Sequence, residues 1–211
     1  MLFNILALIS LLIILMMLRM LVEVFPSLMA CLIRWKESVN LEASVQLSRA
    51  RNLLALSMFI PFCLAVWRFG LYQPDFMNGH TEAAGLGMTI GITLTAVLLR
   101  KALEFILRPK KSNVKTYKTA CTASRTFFSI LTLILLAMGG ILTFIGTAEG
   151  SISSAMLWVS AVIYLIFILR KFQILISSAS FFAAFLYLCA LEFIPTGAII
   201  ASAIVFFNRM Y

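Results

Sequence analysis

The chain has 211 residues and a net charge of +9, with 63% apolar and only 12% charged residues. A soluble domain carries about 45–50% apolar and about 25% charged residues, and one of this size could not hide the excess. Water-soluble folds, disorder, collagen and disulfide scaffolds are excluded, which leaves an all-α polytopic transmembrane helix bundle. The basic residues sit between apolar runs, so the positive charge points to the membrane and not to nucleic acid.

A bilayer needs about 20 apolar residues per helix. Six runs qualify, at 2–25, 53–71, 84–107, 126–147, 153–170 and 180–207. They lack strand-like alternation, so a barrel is not expected. Together they predict one integral membrane domain over 1–211 with short loops and no soluble part.

Span 1 is an uncharged run from Met1 to Leu18, without the basic start or cleavage site of a signal peptide, so we read it as retained. Arg19 and Glu23 interrupt its end and can pair at i, i+4. Pro26 follows, and it either kinks one long helix or ends it, with Leu28–Trp35 along the interface. Residues 36–52 are amphipathic and read as a cytoplasmic surface helix.

Between spans 2 and 3 lies a polar loop holding Asp75 and His80, the sole aspartate and histidine of the chain. One histidine cannot build a metal cluster, and no G-x-S-x-G, H-E-x-x-H or phosphate-loop motif occurs. Cys31, Cys63, Cys121 and Cys189 have no metal or redox spacing. We therefore expect no enzyme activity, no metal and no cofactor.

Span 3 carries Gly87 and Gly91, a small-xxx-small association pattern. Arg100, Glu104 and Arg108 form an i, i+4, i+8 ladder at its inner end. The following loop holds Lys110, Lys111, Lys115 and Lys118, which serve as a topology signal or as a site for anionic lipid or an acidic partner. In span 4 Arg125, Ser129, Thr132, Gly140, Thr143 and Thr147 share one face. That face is a helix seam with hydroxyls bonding back to the backbone, or a polar path entered at Arg125. Arg170 and Lys171 read as the turn after span 5.

Span 6 holds Glu192, about 18 Å deep at 1.5 Å per residue. An acid at that depth should face protein or water. Pro195 deprives the carbonyl of Leu191 of its helical partner, so Glu192, Cys189, Pro195 and Thr196 mark a polar pocket. It serves either as a proton or cation coupling site or as a lock between helices. Ala183, Ala190 and Gly197 form a small-residue stripe for packing on the opposite face.

Fourteen of the seventeen basic residues fall in loops on one side of the spans. By the positive-inside rule that side is cytoplasmic, which places both termini outside. Trp35, Trp67 and Trp158 near span ends agree with this.

The block Leu186-Tyr187-Leu188-Cys189-Ala190-Leu191-Glu192-Phe193-Ile194-Pro195 resembles the C-terminal signature of a Bacteroidota family of multi-spanning inner-membrane proteins, a domain of unknown function. Ala190 stands where that family usually has Thr, and no lysine closely follows Pro195. The resemblance implies the inner membrane of a diderm bacterium and supplies no activity. The expected role is a non-enzymatic subunit or scaffold of a cell-envelope complex, with other membrane proteins or copies of itself as partners. The alternatives are a small transporter or channel using Glu192, and a lipid-handling protein with a groove near Arg125.

Overall fold

The computed structural model describes residues 2–72, 81–106, 114–177 and 180–197. Among these it is an all-α polytopic bundle without strands. Helix α1 runs over Leu2–Ile33, α2 over Trp35–Ala43, α3 over Val45–Ser57 and α4 over Phe59–Arg68. After the loop come α5 (Glu82–Ile106), α6 (Val114–Phe144) and α7 (Glu149–Ile176). Last is α8, an apolar helix over Phe181–Gly197.

Five segments are long and apolar enough to cross a membrane: α1, α3 with α4, α5, α6 and α7. The expected sixth, 180–207, is described to Gly197. The start of α1, the end of α4, the end of α6 and the start of α7 surround one hollow through Phe3, Phe69, Thr143 and Ile152. Successive spans therefore alternate in direction. At the other pole, Arg170 donates to the carbonyls of Leu32 (3.0 Å) and Ile33 (2.7 Å). A cation there satisfies orphan carbonyls at the end of α1 and opposes its dipole.

Two expected boundaries change, and the choice left open at Pro26 falls to one long helix. Pro26 neither ends α1 nor sends Leu28 to the interface, for the helix continues to Ile33. Leu28 and Cys31 are buried with Leu54, Met58 and Ile130, and this packing holds the last turns in place. Glu23 accepts a hydrogen bond from Gln46 of α3 at 3.0 Å. The single surface helix at 36–52 is instead divided at Ser44, whose backbone is extended and whose hydroxyl caps the Leu47 N–H at 3.4 Å. Span 2 thus starts at Val45, and Pro61 falls in the first turn of α4, where its missing N–H costs nothing. Span 5 ends at Ile176, so Arg170 and Lys171 are helical and not part of a turn.

Much of the bundle surface is apolar. On α1, Leu8, Leu11, Leu12, Leu15 and Met16 are exposed, the surface expected of a helix that faces lipid.

Candidate functional site

Glu192 is 2% exposed, and its surroundings begin with the backbone. Pro195 cannot donate to Leu191, and just before it the helix widens into one π-turn over Cys189–Phe193. The Ile194 N–H bonds to the Cys189 carbonyl five residues back. The Glu192 carbonyl receives the Thr196 hydroxyl, and the Tyr164 hydroxyl lies 2.7 Å from that of Thr196. Single π-turns of this kind often mark functional sites.

Two cations meet the Glu192 side chain. Lys171 of α7 donates from Nζ to Oε1 at 2.5 Å, and Arg100 of α5 donates from Nη2 to the same oxygen. Lys171 is fully buried. The ring of Phe167 lies under both, 5.4 Å from the Arg100 guanidinium carbon and 5.8 Å from Lys171 Nζ. Such contacts add attraction where water is excluded. On its other side Arg100 meets Glu104 at 3.5 Å, the first rung of the expected ladder; Arg108 lies outside the described residues.

Side-chain direction explains the convergence. Helical side chains lean toward their own N-terminus. Arg100 and Lys171 lie near the C-terminal ends of α5 and α7, so they lean back into the bundle and not out to the interface. Each buried ion costs several kcal/mol to desolvate, and this is offset only by close pairing. The cluster therefore clamps three helices at one point.

A cleft of about 380 Å³ ends on this cluster. Its walls include Phe62, Ile92, Leu131 and Leu157, with Thr93 and Ser160 among them. The hydroxyls of Thr93 and Ser160 are bonded to the carbonyls four residues back.

The other expected site residues are dispersed. Ser129 and Thr132 are fully buried, and their hydroxyls donate to the carbonyls of Arg125 and Phe128 at 3.0 and 2.8 Å. Thr143 is exposed at the far end, and Arg125 lies in a separate hollow with Lys101 and Glu104. The face is a seam broken by burial and not a continuous polar path.

The expected packing glycines also differ. Among the described residues, a Cβ on Gly87, Gly91 or Gly197 would meet nothing within 4 Å. Gly85 and Gly139 are the close approaches, against the rings of Trp67 and Phe69. Ala183 and Ala190 are half-buried, while Ala184 is fully buried against Ala120 and Ala123. The small residues that matter are displaced by one or two positions, because the partner side chain sets the register.

Of the four loop lysines, Lys110 and Lys111 lie outside the described residues, as do Asp75 and His80. Lys115 is in the first turn of α6. Lys118 pairs with Glu42 of α2 at 3.3 Å. Glu42 also binds Arg51 at 2.9 Å, and Arg51 is 1% exposed. Burial pushes the Glu42 carboxyl up, but Arg51 and then Lys118 outweigh it and hold it below the usual carboxylate range. This second cluster ties α2 and α3 to α6. All four cysteines are free thiols.

The sequence reading missed Arg100, Lys171, Glu42 and Arg51 as partners. It assigned the three bases to topology and Arg100 also to the local ladder, although a cation is one of the few partners that can hold an intramembrane acid.

Among known families, the one described as Domain of unknown function (DUF4271) matches residues 4–202. No curated protein and no solved structure matches the chain.

Proposed function

The chain belongs to this DUF4271 family, and from that premise we propose that it is a non-catalytic membrane subunit or scaffold of a larger cell-envelope complex. The observation that carries the reading is the state of Glu192. Its carboxylate oxygen is held by two cations from two other helices, an arrangement that fixes a bundle and does not await a reagent. Gly87 and Gly91 support it from outside, since small residues open to the surface permit close approach by another helix. Partners of this reading are lipid, other integral membrane proteins or further copies, and not nucleic acid. The resemblance of the block at 186–195 supports the inner membrane of a Bacteroidota bacterium as the location, and the positive-inside rule supports cytoplasmic basic loops with both termini periplasmic.

Native gel mass in mild detergent tests the reading. The wild type should migrate as a complex, and Gly91→Leu should release the free chain without lowering its melting temperature. A wild type that already runs as a lone chain overturns it.

The cleft reaching Glu192 favours a second reading, a small transporter or channel with Glu192 as its coupling group. If Glu192→Gln left solute flux unchanged in proteoliposomes, that reading would fail.

A further inference from the structure

The cleft does not stop at Glu192. A second hollow of about 370 Å³ adjoins it, and Val97, Arg100 and Phe128 line both. The two differ in chemistry. The first is walled mainly by aliphatic and aromatic side chains, with Thr89, Thr93 and Ser160 among them and Arg100 and Glu192 at its end. The second presents Arg100, Lys101 and Arg125 against one acid, Glu104, with Asn52 and Ser124 beside them. Neither Lys101 nor Arg125 has an ion-pair partner among the described residues. The Arg100 Nε is buried without a hydrogen-bond partner, and Glu104 is 3.5 Å from it.

The length of the apolar part identifies what fits. Its α5 wall runs from Thr89 to Arg100, which are eleven positions or about 16 Å of helix apart. One leaflet of the hydrocarbon core is about 15 Å thick, half of about 30 Å. The cationic hollow lies toward the basic ends of α5 and α6, with Lys101 five residues before Ile106 and Arg125 eleven after Val114, on the side where the positive-inside rule puts the head groups of the inner leaflet. The apolar cleft extends from it toward the bilayer centre, as an acyl chain does. Arginine forks match phosphate oxygens; Arg100 is taken up by Glu192 and Glu104, so it is Lys101 and Arg125 that leave the hollow positive.

We propose that these joined hollows form a binding site for one anionic glycerophospholipid, with its phosphate between Lys101 and Arg125 and an acyl chain along Ala96 and Ile92. The site does not depend on the scaffold reading. The lipid would fill space that the helices leave between α5 and α7, beside the Glu192 clamp but without replacing any of its ion pairs.

Native mass spectrometry of the full chain in detergent tests this with three probes: phosphatidylglycerol, phosphatidylcholine and glycerol phosphate. One phosphatidylglycerol should be retained, and the other two should bind at least tenfold more weakly. Each interfacial cation contributes about fivefold to the affinity, so Lys101→Gln with Arg125→Gln should weaken phosphatidylglycerol about 25-fold. Ala96→Trp should block the chain cleft and lower retention while leaving the cations in place. If that variant misfolds, the charge variant decides alone. Equal retention of phosphatidylcholine, equal binding of glycerol phosphate, or an unchanged double-charge variant overturns the proposal.

Discussion

Glu192→Gln removes the carboxylate to which Arg100 and Lys171 both donate. Lys171 is fully buried and cannot turn to water for compensation. Stripping one partner from a buried ion pair costs about 3–5 kcal/mol, chiefly because the other charge stays behind. In a chain of 211 residues, each kcal/mol lowers the melting temperature by about 2–4 °C, so the loss should be about 6–20 °C. The same logic predicts rescue. Glu192→Gln with Lys171→Met removes one charge of each sign and leaves Arg100 beside Glu104 at 3.5 Å. That double variant should regain most of the lost stability, since a buried pair replaced by neutral groups is often neutral overall. Tryptophan fluorescence melts in detergent measure both. A single-variant shift below about 2 °C, or a double variant less stable than Glu192→Gln alone, would refute the reasoning.

Arg170→Gln should loosen the end of α1 by about 1–2 kcal/mol, because the Leu32 and Ile33 carbonyls lose a charged donor; amide exchange in the last turn of α1 checks it, and unchanged protection there would contradict the capping role. A Cβ at Gly85 would sit 2.0 Å from the Trp67 ring, whereas at Gly87 it meets nothing. Gly85→Ala should therefore cost about 1–3 kcal/mol through overpacking, and Gly87→Ala should gain up to about 1 kcal/mol from helix propensity, read by paired thermal melts. The Glu42 carboxyl is held below its unfolded value, so its stabilisation is present above that value and is lost as pH falls through the folded one. Wild type and Glu42→Gln should thus converge in melting temperature on acidification from pH 7 to below about pH 4; a constant gap across that range would show that Glu42 does not act through its charge.

Hydropathy made the spans legible because lipid admits few alternatives to a long apolar helix. Glu192 and Pro195 stood out for the same reason, each being costly where it lies. The limits appear wherever a neighbour decides. Arg170 and Lys171 read as a turn because the apolar run is interrupted there, yet one staples α1 and the other is sealed against Glu192. A hydropathy window scores a lysine as polar whether it meets water or a carboxylate. Ser44 starts a new helix by capping it with its own hydroxyl, a signal visible in sequence but drowned by the amphipathic pattern around it. Within the bundle the close approach falls two positions from the glycine pattern: Gly85 and Gly87 are equally small, and only the Trp67 ring distinguishes them. Of the charge ladder along α5 the rung from Arg100 to Glu104 is seen, but a one-dimensional pattern cannot show that its first member also belongs to a helix 92 positions away.

That separation has a consequence for synthesis. Chains emerge at about 5–20 residues per second, so Arg100 waits about 5–18 s before Glu192 exists, and the end of α1 waits about 7–28 s for Arg170, 138 residues after Leu32. During that interval the nascent bundle holds cations without their carboxylate and a helix end without its cap. Assembly is thus completed from the C-terminal side: the last described helix is the keystone, and a chain cut short before Glu192 leaves Lys171 buried without its carboxylate.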